Sequence, residues 1–316
     1  MRRGPDLFAA LGFVLIAGSA TANTAYVTCQ NGNALGVIDV ANAHQSDRWD
    51  VPGNPAGVAV SDMGDVYTVS PESKTIRRFA SDTGTVVAQT QLEGGPIGVA
   101  LDQARGRLFV SDWFNARLWV LDATTLALHT ELATGASPAG ISLSEDDRFV
   151  ASADKDSDQV SVFDAETLTL LHRIKVGTRP FGLSFAPDGR LFVANVGTND
   201  VSVIDVDRAA VVATVPVGER PYGVAFAAGR AFVTNQYENT VSVIAQQTLA
   251  VETTIDVGEY PEGIDTTADG QSIVLANWFD NTVTIIDANT LSVLETIDTC
   301  DGPRAFGTFL HEGERP

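Results

Sequence analysis

Three arginines stand beside prolines at matching places in the chain: Arg179 before Pro180, Arg220 before Pro221 and Arg304 after Pro303. Aromatic side chains accompany them. Phe181, Tyr222 and Tyr260 flank the same kind of proline, while Trp113, Phe114, Tyr237, Trp278 and Phe279, with Lys155, fall in a second set of turns. A guanidinium presents planar, paired donors to carboxylate or phosphate oxygens, and ring faces add apolar contact, so the set points to a site for an anionic or π-rich ligand. The competing reading is structural: the arginines pair with Asp112, Asp154 and Glu262 and tie neighbouring units together.

Nothing comparable points to catalysis. The chain has no Gly-x-Ser-x-Gly elbow, no HExxH and no Walker loop, and His44, His129, His172 and His311 lack metal-ligand spacing. Neither cysteine lies in a CxxC or CxxCH motif. The expectation is a protein without metal or cofactor and without a catalytic set, although a triad assembled from distant positions would leave no motif. A formal charge of -20 repels polyphosphate, which argues against nucleic acid and anionic membrane surfaces as partners.

Positioning these residues requires a repeat, and prolines supply it. Pro55, Pro96, Pro138, Pro180, Pro221, Pro261 and Pro303 are separated by 41, 42, 42, 41, 40 and 42 residues. Each unit continues through a turn such as Pro187-Asp-Gly, a strand such as Leu191–Asn195 and an alternating strand such as Val201-Ser-Val-Ile-Asp205. Its Asp begins a turn, and a fourth strand follows. Four short strands about every 41 residues with no helical period predict an all-β, seven-bladed β-propeller of four-stranded antiparallel blades.

The ends complete that ring. The segment Ala25-Tyr-Val-Thr-Cys29 begins in mid-repeat as a second strand, and Pro303 to Leu310 repeats the first-strand pattern. The last blade is therefore expected from both ends, which removes an exposed sheet edge. The second strands end on a column of small or polar residues, Cys29, Ser70, Asp112, Asp154, Asn195, Asn235 and Asn277, expected to cap the neighbouring loop by side-chain to backbone hydrogen bonds. Cys300, three residues before Pro303, falls in the loop that Cys29 would cap, so the repeat predicts a Cys29–Cys300 disulfide.

That pairing fits an exported chain. Arg2 and Arg3 precede an apolar run from Leu7 to Ala17, and Ala20-Thr-Ala22 follows as a cleavage site. Eleven apolar residues fall short of the ~20 a membrane span needs. The expected organisation is a signal peptide over 1–22, a propeller over 23–310 and a tail over 311–316. The mature protein is expected in the periplasm as a monomer with no membrane span, where a disulfide persists.

Tyr26-Val-Thr28, Phe192-Val-Ala-Asn195 and Phe232-Val-Thr-Asn235 resemble the signature strand of the YVTN-repeat (YncE-like) propellers of exported bacterial proteins, over the whole mature chain. The resemblance implies an extracytoplasmic binding or scaffold role, with a periplasmic protein or an anionic small molecule as partner. Lactonase and quinoprotein-associated propellers are similar in repeat and imply the alternative of an enzyme or accessory subunit. No quinone-docking segment or lactonase catalytic set matches here.

Overall fold

The computed structural model describes residues 22–313. They form seven antiparallel sheets arranged as the blades of a propeller. Blades 1 to 6 begin at Gly57, Pro96, Pro138, Pro180, Pro221 and Pro261, and blade 7 combines Ala22–Cys29, Ala34–Asp39 and His44–Asp50 with the C-terminal strand Leu310–Gly313. The expected signal peptide lies outside the described residues except for Ala22, which pairs with Gly313. Among the described residues no helix is long and apolar enough to cross a membrane.

The core lies between blades, because each sheet has neighbours on both faces. The middle strands are therefore buried almost throughout, and the fourth strands are mostly exposed. Val201–Ile204 is fully buried, whereas Ala210–Pro216 buries only Val215. Aromatic side chains at one register position, Phe109, Phe192 and Phe232, fill the blade-to-blade seams with no exposed surface. Each contributes about 2–3 kcal/mol by leaving water.

The inner strands of blades 1 to 6 approach so closely that the second residue after the proline is glycine, whereas Ala305 takes that place at the ring closure. A methyl group on Gly182 would overlap the carbonyl oxygen of Tyr222 in the next blade, and one on Gly140 would lie 2.6 Å from the Phe181 carbonyl oxygen. Blade-to-blade carbonyl contact, more than approach to the axis, fixes these glycines.

Closure joins the two ends of the chain as expected, by a less direct route. Cys29 bridges Pro303, the chain then swings aside so that Phe306–Thr308 pairs in parallel with Gly57–Val60 of blade 1, and it returns to pair Leu310–Gly313 with Ala22–Ala25. Gly307, at φ +134°, permits the detour. Asp265 Oδ2 accepts from the amides of Phe309 and Leu310 at 2.8 and 3.0 Å and secures the return. The pairing Asn23↔Glu312 carries the strand beyond Leu310, so residues 311–313, expected as tail, belong to blade 7. Cys29 and Cys300 form the predicted disulfide, with Cα atoms 5.6 Å apart.

Candidate functional site

The loop leading into each blade and the loop between its second and third strands lie side by side on one face. Backbone bonds tie them: Gln236 and Tyr237 donate to the carbonyls of Arg220 and Glu219, and Trp278 and Phe279 to those of Tyr260 and Glu259. The residue before the proline adopts a left-handed backbone, with φ of +55° at Arg179, +54° at Arg220 and +57° at Tyr260. A neighbouring-blade side chain holds each amide there: Asp158 accepts from Arg179, Asn199 from Arg220 and Asn239 from Tyr260, at 2.8 to 3.1 Å. Sequence reasoning missed this second column. Its signal is the Asn or Asp just before most third strands.

The first column divides by chemistry. Asp112 and Asp154 accept from the loop amides of Gly95 and Gly135, at 2.9 and 2.8 Å, as a cap should. Asn195, Asn235 and Asn277 differ from the expectation. Their amides donate sideways instead, Asn235 to Thr240 and Ser242, Asn277 to Thr282 and Thr284, and Asn195 to Asp200 and Ser202. An amide nitrogen is a donor, and the third strands of these blades offer hydroxyl or carboxylate oxygens to receive it.

The arginine and aromatic set splits into two groups. Residues that follow the proline point to the propeller axis, so Phe181 and Tyr222 are buried with Phe306 in a plug, ring centroids 4.2 Å apart for Phe181–Tyr222 and 5.0 Å for Phe181–Phe306. Trp113 leans on its edge, 6.0 Å from Phe181, with Lys155 over its outer face at 4.7 Å. Arg304 also follows a proline and sits in this plug. It donates to Glu262 Oε2 at 2.7 Å, to Gln30 at 3.3 Å and to the Tyr222 hydroxyl, while Gln236 donates to Glu262 Oε1 at 2.7 Å. For Arg304 the structural pairing with Glu262 therefore holds. Asp112 pairs instead with Arg117 at 2.8 Å, and Asp154 accepts from Gln159 and Ser161.

Burial pushes the Glu262 carboxyl above its ordinary range while Arg304 opposes the shift, and burial likewise keeps the Tyr222 hydroxyl protonated. Removing Arg304 would strand a buried carboxylate. Arg304→Met is expected to cost about 3–5 kcal/mol, read as a lower urea midpoint, and Arg304→Met with Glu262→Gln should recover part of it. Equal midpoints for parent and single variant would remove the network from the account.

Residues before the proline and in the companion loops form the second group, a ridge open to solvent. Tyr237 is 48% and Phe279 61% exposed, and Tyr260 joins them, 5.3 Å from Tyr237 and 5.8 Å from Phe279. Trp278 packs beneath, 6.1 Å from Tyr260. Arg220 lies 4.4 Å over the Tyr237 ring and donates to its hydroxyl at 2.8 Å. Arg179 is exposed on the neighbouring blade. Carboxylates pair with Arg117, Arg230 and Arg304 but with neither Arg179 nor Arg220, among the described residues.

Below the plug the axis opens into a channel of about 540 Å³ that reaches the opposite face through Gln103, Glu145 and Pro187. Asp265 lines its wall. Burial pushes its carboxyl up to about 6, against the pull of the amides of Leu310, Thr266 and Phe309.

A family described as YNCE-like beta-propeller matches residues 209–306, and one described as lactonase, 7-bladed beta-propeller, matches residues 120–214. No curated protein matches the chain. Among solved structures, a functionally unknown protein from Desulfotomaculum acetoxidans DSM 771 is similar at a TM-score of 0.78 and 13% identity, over 93% of this chain and 100% of that one. The dihydro-heme d1 dehydrogenase NirN, in complex with DHE, gives 0.70 and 15%, over 97% and 77%. A streptogramin B lyase gives 0.69 and 17%, over 83% and 92%. At these identities the likeness is one of fold. Repeat and closed ring make the chain a seven-bladed β-propeller, and the matched stretch over residues 209–306 supports its likeness to the YncE-like, YVTN-repeat propellers.

Proposed function

We propose that the chain is a non-catalytic binding or scaffold protein of the periplasm, a monomer that holds an anionic small molecule or an acidic, aromatic-bearing segment of a partner protein on the ridge from Arg179 to Phe279. One observation carries this reading: Arg220, without a carboxylate partner, lies on one end of a continuous run of rings, Tyr237, Tyr260 and Phe279, and Arg179 is exposed on the neighbouring blade. Exposed aromatic and arginine side chains in contact are the composition of binding surfaces. The disulfide supports an oxidising compartment.

The rival reading, an enzyme, draws on the dehydrogenase and lyase among the similar folds. Its best candidates are Glu262 and Asp265, which with Asp154 are the carboxylates whose proton affinity burial raises. Both oxygens of each already accept hydrogen bonds from the protein, which weighs against acid–base work by either.

Arg179→Ala with Arg220→Ala is expected to abolish capture of the partner from periplasmic extract while leaving the melting temperature within a few degrees, since both side chains sit at the surface. Capture should also weaken in high salt. Undiminished capture by the double variant would overturn the proposal.

A further inference from the structure

We infer that the blind channel is a second binding site, on the face opposite the ridge, for an organic cation: a primary ammonium carrying an apolar or aromatic body. Its shape comes first. The aromatic plug closes one end, with Phe306 reaching across to within 3.3 Å of where a side chain on Gly140 would begin, so the channel is a pocket and not a pore. About 540 Å³ lies within the range of small-molecule sites.

The chemistry of the wall then selects the ligand. At the fourth position after a proline, Ala100, Ser142, Ser184 and Ala225 of blades 2 to 5 and Gly307 of the C-terminal segment are small and line the channel. Asp265 is the departure from this ring. Its Oδ2 accepts two amides and its Oδ1 one, that of Thr266 at 2.9 Å. A carboxylate offers about four acceptor positions, which leaves one on Oδ1 for a ligand. The other charged side chain of the lining is Glu145 near the mouth, and among the described residues no Lys, Arg or His lines the cavity. A recess walled by carboxylates in a chain of charge -20 concentrates cations and repels anions. Phe306 lines the channel and adds an aromatic contact for the ligand body.

Three matched probes test this by titration calorimetry at pH 7.5 on the whole protein: 2-phenylethylammonium, 2-phenylethanol and phenylacetate. The ammonium is expected to bind one to one, and at least tenfold more tightly than either of the others. Asp265→Asn, which keeps the size and an acceptor for the Phe309 and Leu310 amides, should weaken the ammonium at least tenfold. Ser184→Leu should do the same by filling the channel from a different blade, and it carries the test if the Asp265 variant melts early. Tyr260→Ala on the ridge should leave ammonium binding unchanged, which separates this site from the proposed partner surface. Failure of the ammonium to bind at millimolar concentration, equal binding of the three probes, or parent-like binding by Ser184→Leu would overturn the inference.

Discussion

A chain ending at Gly302 is expected to lose its monomeric state and to melt far below the parent. Truncation removes Leu310–Gly313 from its pairing with Ala22–Ala25 and Phe306–Thr308 from its pairing with blade 1. Blade 7 then presents an unpaired inner edge, the feature that invites strand addition by another copy. It also removes Phe306 and Phe309, both buried, whose transfer from water is worth about 2–3 kcal/mol each. Arg304 goes with them, leaving Glu262 unpaired in the plug. Together these losses approach the ~5–15 kcal/mol that holds a typical domain folded. Size-exclusion chromatography and a thermal melt decide the matter. A truncated chain that elutes as the parent does and melts at the same temperature would show that the ring does not depend on its C-terminal strand.

The ring was legible because its physical demands repeat. A proline opens each unit, in six of the seven a glycine follows two residues later because the next blade's carbonyl leaves no room for a methyl group, and Ala25–Cys29 visibly starts in mid-repeat. The detour of Phe306–Thr308 was not legible, since it depends on a glycine conformation and on the edge offered by blade 1. The site was half legible. Spacing showed that Arg179, Phe181, Arg220, Tyr222, Tyr260 and Arg304 flank equivalent prolines, but a linear pattern does not say which flank faces the axis. In the structure the residue before the proline rides outward in a left-handed turn, and the residue after it turns inward. The side of the proline a residue takes therefore separates the half-buried Arg220, which leans on exposed Tyr237, from the buried Tyr222 in the plug. That rule transfers to most other blades: Ala56, Ala139 and Glu262 also follow a proline and are buried, while Ile97 is half-buried.

Replacing both cysteines, Cys29→Ala with Cys300→Ala, is expected to lower stability by about 2–5 kcal/mol, the usual cost of losing a native disulfide. For a domain of this size that corresponds to roughly 5–15 °C in melting temperature. The large value follows from position. The bond spans 271 residues of sequence, and chain entropy for a loop of this order gives ~5 kcal/mol of stabilisation through restriction of the unfolded chain. It also lies where other constraint is scarce, since blade 7 gains its inner strand through four residue pairs and a single bridge at Pro303. The surroundings are filled: Cys29 has no exposed surface, and a side chain on Gly36 would begin 3.3 Å from Cys300 Sγ. The alanine pair therefore leaves a small gap as well as an uncrosslinked chain. Mass analysis of the unfolded, unreduced parent under alkylating conditions should find no free thiol, and denaturant midpoints should separate parent from variant. Two alkylated cysteines in the parent, or coincident midpoints, would mean that strand pairing alone closes the ring. In that case the truncated chain, not the thiol variant, would carry the whole loss of stability at the closure.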